Sequence, residues 1–201
     1  MNIHSVPPMK PEHRPTSDKK DLISAAALEL FVERGFFGTV VPDIAAHAGV
    51  GAGTIYRYFE SKEALVNAIY QQEKLKFAQV VIEDFPMAAP TREQFRVLFM
   101  RMAKFTTANP KSFIFLELHH HARYLDEASR AVEARTMTMV EAVVRQAQAR
   151  RDLKSCDPRL LLGIVMGAFV GIVRSALEIE QPLEKVDWAV AEQCLWEAVR
   201  S

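Results

Sequence analysis

Small, hydroxyl-bearing and cationic side chains are concentrated on one side of a short helical pattern. They are Gly51, Gly53, Thr54, Tyr56, Arg57 and Tyr58. Small residues at the start of a helix permit close approach of another molecule. Hydroxyl and guanidinium groups donate hydrogen bonds to phosphate oxygens and base edges. This composition suits a helix that enters the major groove of DNA.

Two short helical patterns, separated by a glycine corner, would position these side chains. Ile44 and Ala45 share one face of the first pattern, and Ile55 and Phe59 supply the apolar side of the second. Gly49 stands where a positive φ would let the chain turn sharply. Two helices joined at a steep angle in this way predict a helix-turn-helix.

The segments DIAAHAGV and GTIYRYFESKEAL resemble the DNA-binding signature of TetR-type bacterial transcriptional regulators. The detailed resemblance covers about residues 17–65, and beyond them it extends only to general architecture. It implies a phosphate contact by Lys62. Relatives commonly carry Ser or Thr at the position of Val40, so Thr39 is a candidate substitute one residue earlier. The expected DNA contacts are Thr39, Gly51, Gly53, Thr54, Tyr56, Arg57, Tyr58 and Lys62.

The composition is that of a soluble globular chain with a formal net charge of zero. The charge argues mildly against DNA binding, because cations supply much of the affinity for phosphates. Local placement of Arg57 and Lys62 is expected to outweigh it. Cys156 and Cys194 lie far apart and suggest a reduced, cytoplasmic compartment. The N-terminus lacks a signal-peptide pattern, and the apolar run between Arg159 and Arg174 looks too short to span a membrane.

Helical spacing continues along the whole chain, which predicts an all-α fold. Residues 1–16 are expected to be a disordered arm, either untethered or reaching a minor groove. A three-helix helix-turn-helix head over residues 17–63 should include a first helix that ends at Gly35. A body of about six helices should occupy residues 64–201, with Ser61 and Asp157 as caps and Thr91 with Gln94 as a capping box.

Gly163, Gly167, Gly171 and Ser175 recur every fourth residue near the end of the chain. Glycine is unfavourable inside a helix by about 1 kcal/mol, so three in register predict that another helix packs closely along the strip. That helix could belong to the same chain or to a second copy. The family resemblance implies dimerisation through the last two long helices. The interface candidates are Leu161, Val165, Ala168, Ile172 and Trp196.

The body is rich in Phe and Met, which are first of all core residues. The resemblance implies an effector pocket among them, and such a lining suits a hydrophobic or aromatic ligand. The pocket candidates are Phe95, Phe99, Met102, Phe113, Leu116, His120, Tyr124, Met139, Met166 and Phe169. His119–His121 are consecutive and point about 100° apart on a helix, so we predict no metal site there.

These features lead to one functional prediction and its alternatives. The chain is expected to be a homodimeric repressor that binds a palindromic double-stranded DNA operator and is released by a small-molecule effector. An effector-free dimer that acts through a protein partner, or an activator, remains an alternative. The sequence carries no phosphate loop, nucleophile elbow or paired-carboxylate signature. We therefore predict neither enzymatic activity nor a cofactor.

Overall fold

The computed structural model describes residues 16–118 and 123–201, and within these ranges the regular secondary structure is helical apart from one isolated β-bridge between Leu153 and Arg200. The all-α prediction is confirmed, and nearly all of the expected arm lies outside the described residues. The helices are α1 (Thr16–Gly38), α2 (Val41–His47), α3 (Ala52–Tyr58), α4 (Lys62–Ile82), α5 (Thr91–Ala108), α6 (Pro110–Phe113, continued by a π-helical turn at Ile114–Leu118), α7 (Glu127–Ala149), α8 (Pro158–Glu178) and α9 (Trp188–Val199), with a 3₁₀ turn at Leu183–Lys185.

The head consists of α1, α2, α3 and the first half of α4 around a shared apolar core. Ile23, Ile44, Ile55 and Leu65 are fully buried in it. Phe115 from the body joins the same core, where its ring stacks on Phe31 at 6.3 Å between centroids. The core therefore continues from the head into the body at this point.

Helix α1 extends beyond the end that the sequence predicts. Gly35 has the expected positive φ of 69°, but its ψ of 176° produces a kink, after which helical turns resume as far as Gly38. The glycine thus redirects the helix rather than ending it. This redirection brings the last turn of α1 over the start of α4.

Helix caps account for several of the boundaries. The Ser61 hydroxyl accepts a hydrogen bond from the Ala64 amide at 3.0 Å, and Asp157 caps α8, both as predicted. The predicted capping box is wrong. The Thr91 hydroxyl donates to Asp152 at 2.6 Å, and the Gln94 amide donates to loop carbonyls, because both side chains face the body.

The body core lies between α5, α6, α8 and α9. Phe169 on α8 is fully buried and stacks on Trp188 at 5.1 Å between ring centroids. Helix α8 has 21 residues, and its most apolar stretch has a mean hydropathy of 2.1, so it is long and apolar enough to cross a bilayer. This corrects the expectation from sequence that the run is too short. Core helices of soluble proteins pass the same test, and Leu161, Phe169 and Val173 pack into the body.

Candidate DNA interface and ligand cavity

The corner between α2 and α3 is closed by backbone hydrogen bonds around Gly49. The Gly49 amide donates to the Ala46 carbonyl at 3.2 Å, and the Val50 amide donates to the Ala45 carbonyl at 2.9 Å. This pair of bonds is a Schellman motif, which requires a left-handed residue, and Gly49 has a φ of 66°. Substitution of Gly49 would therefore strain the corner that orients α3.

Helix α3 carries a face that is exposed to solvent. Gly51, Gly53 and Arg57 are exposed, and the Tyr56 side chain is 57% exposed. Thr54 is half-buried. Tyr58 packs partly against the head core, so less of its surface is open to a ligand. The exposed set places hydroxyl and guanidinium donors on one short helix beside small residues.

The structure gives Thr39 a different role from the predicted DNA contact. Thr39 is 0% exposed, and its hydroxyl lies 3.0 Å from the Leu30 carbonyl and 2.8 Å from the Gly35 carbonyl of α1. The Thr39 hydroxyl therefore joins the segment that follows α1 to the backbone of α1 around the kink at Gly35. Val40 is the N-cap of α2 without a side-chain cap bond and is half exposed.

The Lys62 ammonium is likewise engaged inside the head. Its Nζ atom donates to the carbonyls of Phe36 at 2.7 Å and Thr39 at 2.9 Å, and it lies 4.1 Å from the centroid of the Phe36 ring. These contacts tie the first turn of α4 to the end of α1. Lys62, the expected phosphate contact, therefore bonds to backbone carbonyls of the head in this structure.

A cavity of about 250 Å³ lies in the body between α4, α5, α7 and α8. Its wall is mostly apolar, with Phe77 and Val81 from α4, Met102 from α5, and Met137 and Met166 from α7 and α8. Three charged side chains interrupt this wall at Lys74, Glu117 and Glu133. The combination of a hydrophobic wall and a few polar groups is typical of small-molecule sites.

The charged side chains at the cavity form one connected group with Tyr70. The Lys74 ammonium lies 3.3 Å from Glu117 and 3.0 Å from Glu133, and the Tyr70 hydroxyl donates to Glu133 at 2.5 Å. Burial raises the pKa of Tyr70, and burial alone would lower the pKa of Lys74. For Lys74, the attraction of Glu117 and Glu133 outweighs this effect of burial, so the pKa of Lys74 is raised. Lys74 therefore remains a cation at neutral pH.

Two protein-family models match the chain and together cover residues 23–201. One, described as bacterial regulatory proteins of the tetR family, matches residues 23–69, and the other, described as a tetracyclin repressor-like C-terminal domain, matches residues 70–201. The chain belongs to the TetR family. It is a transcriptional regulator with a DNA-binding head, not an enzyme.

Individual relatives agree with this assignment over most of the chain. The HTH-type transcriptional regulator YhgD of Bacillus subtilis (strain 168), itself described as uncharacterized, is 24% identical over 84% of this chain and 89% of its own length. A TetR family regulator of Marinobacter aquaeolei VT8 superposes with a TM-score of 0.78 and 23% identity over 92% of this chain and 97% of its own. FadR of Bacillus subtilis in complex with stearoyl-CoA superposes with a TM-score of 0.69 and 21% identity over 88% of this chain and 95% of its own.

Of the predicted pocket residues that the structure describes, only Met102 and Met166 line the cavity of this TetR-family chain. Four phenylalanines instead belong to or pack against the body core: Phe95, Phe99, Phe113 and Phe169. Met139 is 50% exposed on α7. Leu116 packs in the head core, and Tyr124 stacks on Phe36 at 4.2 Å between centroids. His120 lies outside the described residues.

Sequence reasoning missed the charged side chains of the cavity. Lys74 follows Tyr70 by four residues and precedes Phe77 by three, so helical spacing already placed this lysine on an inward face. Glu117 and Glu133 are not among the predicted pocket residues, although both line the cavity. Within the described ranges, no group of three or more metal-ligating side chains occurs.

The glycine strip of α8 faces outward in the protomer. A Cβ atom added at Gly163, Gly167 or Gly171 would meet nothing within 4 Å, so no helix of the described chain packs on it. The intramolecular explanation of the strip is therefore not observed. Among the predicted interface residues, Leu161 is 4% exposed, because its side chain packs in the core of the protomer. Val165, Ala168, Ile172 and Trp196 are partly buried against the core.

Proposed function

We propose that this TetR-family regulator is a cytoplasmic, homodimeric repressor that binds a near-palindromic operator and is released by a small effector in its body. The observation that carries the proposal is the outward face of α3, where Tyr56 and Arg57 stand free of the head core. In a dimer, two such helices would enter successive major grooves about 34–36 Å apart.

The outward strip of α8 supports the dimer. Leu160 and Ile164 are exposed large apolar side chains beside Gly163 and Gly167, on a helix whose most apolar stretch has a mean hydropathy of 2.1. Exposed apolar area of this kind marks an interaction surface. A second copy of α8 could approach closely because the glycines present only backbone.

The body cavity supports the release step. It is lined by residues of α4, and α4 begins at Lys62 in the head, so a ligand in the cavity touches the helix that carries the head. Regulation would then be a coupling between two sites, and operator DNA must weaken effector binding by the same factor by which effector weakens DNA binding.

Footprinting of the purified protein on the DNA that flanks its own gene tests the proposal. We expect a protected near-palindrome whose affinity falls with salt, because phosphate contacts release counterions. Binding without a footprint would be nonspecific contact only and would count against an operator on that fragment.

Tyr56 provides the sharper test of the interface. Tyr56→Ala should abolish the footprint while circular dichroism shows unchanged helicity, because the exposed side chain leaves the α3 fold intact when removed. Leu75→Ala, at an exposed position of α4, is the matched control. A footprint retained by Tyr56→Ala would remove this residue from the interface.

A further inference from the structure

Resting on the proposed function, we propose that the effector is a small lipophilic organic cation. Its hydrocarbon part would lie against Phe77, Met102 and Met166, with its positive charge at Glu117 and Glu133. The site is the body cavity of about 250 Å³.

The charge balance of the cavity favours a cation. The described lining residues hold one cation, Lys74, and two carboxylates, Glu117 and Glu133, so their formal sum is one negative charge. A charge that is partly removed from water is costly unless it is paired. The Lys74 ammonium is shared between the carboxylates at 3.3 and 3.0 Å. A second cation would complete the pairing, whereas an anionic ligand would add repulsion.

The apolar wall is also suited to a soft cation. Phe77 offers an aromatic ring, and Met102, Met137 and Met166 offer polarizable thioethers. Aromatic faces attract organic ammonium groups most strongly when water is excluded, and methionine adapts to irregular shapes. A quaternary ammonium has no N–H donors to satisfy, so its charge fits a wall with few acceptors.

The volume of the cavity limits the size of the ligand. About 250 Å³ lies below the roughly 300–1,000 Å³ of pockets that hold drug-sized molecules. The structural neighbour with stearoyl-CoA holds a much larger, anionic ligand. Both the size and the charge of the present cavity disfavour such a molecule.

An open groove between α7 and α8 gives a route to the cavity. The groove and the cavity share Glu133, Met137, Leu162 and Met166 in their walls. Glu133 stands on this shared boundary with a side chain that is 41% exposed, so it would meet a cation as it enters. In the described chain the groove also carries Arg130 and Arg159, and Arg159 is held by Glu141 at 2.6 Å.

Calorimetry on the full-length protein with matched probes tests the ligand class. Benzyltrimethylammonium is the cation, neopentylbenzene its neutral carbon isostere, and 3-phenylpropanoate the anion. Stearoyl-CoA tests the alternative suggested by the neighbour. We expect the cation to bind about tenfold or more tightly than the isostere, as partly desolvated charge pairs allow, and the two anions to bind more weakly still.

A charge series at the cavity identifies the recognising groups. The double variant Glu117→Gln/Glu133→Gln should weaken cation binding by about tenfold or more, and Lys74→Met should strengthen it because a competing cation is removed. Glu127→Gln, an exposed change on the same helix α7, should leave binding unchanged. If the double variant does not fold, Lys74→Met and Glu117→Gln alone must still shift the affinity in opposite directions.

Release of operator DNA is measured separately by fluorescence anisotropy. Cation binding together with cation-induced release supports the proposal. Tighter binding of 3-phenylpropanoate or stearoyl-CoA, no binding of the cation, or cation affinity unaffected by the charge series would overturn it. Cation binding with no effect on DNA would instead contradict the proposed repressor mechanism, so the two failures are distinct.

Discussion

Lys62 shows how a cation next to a DNA-binding helix can serve the fold instead of the ligand. Its ammonium bonds to two carbonyls and stands over the Phe36 ring, and the same ring stacks on Tyr124 from the body. The kink at Gly35 places these carbonyls within reach. Lys62 therefore joins the start of α4 to the end of α1 and to the segment that precedes α2.

The substitution Lys62→Met separates this structural role from phosphate contact. It should lower the free energy of unfolding by about 1–3 kcal/mol, because hydrogen bonds to a charged group are lost from the half-buried carbonyls. The slope of log affinity against log salt should stay unchanged. By contrast, Arg57→Ala should remove one phosphate contact and reduce the magnitude of that slope by about 1. The free energy of unfolding should stay unchanged. A reduced slope in Lys62→Met would restore its role as a phosphate contact.

Glu133 should give the protein a measurable acid dependence. Burial alone would raise its pKa, but Lys74 and the Tyr70 hydroxyl together hold the pKa of Glu133 below its usual range. The resulting stabilisation is fully present above the unfolded pKa of about 4.3. It is lost as the pH falls through the lower, folded pKa.

Urea unfolding of wild type and Glu133→Gln from neutral to acidic pH measures this contribution. We expect a constant difference in unfolding free energy between about pH 5 and 8, and a difference that shrinks below about pH 4. Glu127→Gln is the exposed control on α7. A difference that does not change with pH would show that Glu133 contributes through packing alone.

Helix α4 connects the head to the cavity, and Asn67 fixes it to the start of α7. The Asn67 amide nitrogen donates to the Tyr124 carbonyl at 2.7 Å, and its oxygen accepts from the Asp126 amide at 2.9 Å and the Ser129 hydroxyl at 2.8 Å. Lys74 lies seven residues later, on nearly the same face of α4. These bonds hold the head end of α4 against α7, and the contacts of Tyr70 and Lys74 with Glu133 hold its cavity end.

Asn67→Ala should weaken the coupling between the effector and DNA. The substitution removes the hydrogen bonds of Asn67 to the Tyr124 carbonyl, the Asp126 amide and the buried Ser129 hydroxyl, at about 1 kcal/mol each. We expect the ratio of effector affinities with and without operator to move toward one. Gln72→Ala, at an exposed position of α4, should keep the wild-type ratio. An unchanged ratio in Asn67→Ala would place the coupling elsewhere.

Among the described helices, α8 leaves an apolar strip exposed on the surface of the protomer. Only 22% of the most apolar stretch of α8 is buried inside the protomer, and Gly163, Gly167 and Gly171 have no neighbour over them. Monomeric soluble proteins seldom leave such a strip open to water. A dimer across α8 would cover it.

Ile164→Arg tests this arrangement better than a change at Leu161. The Ile164 side chain is 42% exposed, so arginine there would charge the strip without disturbing the core, whereas Leu161 is buried. Light scattering should show a monomer for Ile164→Arg and a dimer for Ala131→Arg, an exposed control on α7. Dimer mass in Ile164→Arg would exclude this face.

The helix-turn-helix could be read from the chain because its determinants are local. Gly49 permits the one backbone conformation that the corner needs, and Ser61 and Asp157 begin helices through bonds to residues two or three positions later. Apolar spacing then assigns Ile44 and Ile55 to the core. Each of these features requires information from a few neighbouring residues only.

The tertiary structure decided which side chains face a ligand. Thr39 and Lys62 bond to carbonyls of α1 on both sides of the kink at Gly35. Lys74 meets Glu117 and Glu133, which are 43 and 59 positions away in the sequence. Composition and helical spacing determined the elements and their buried faces. The cavity and its charges depended on how α4, α5, α7 and α8 pack, because contacts between distant segments leave no periodic signal in the sequence.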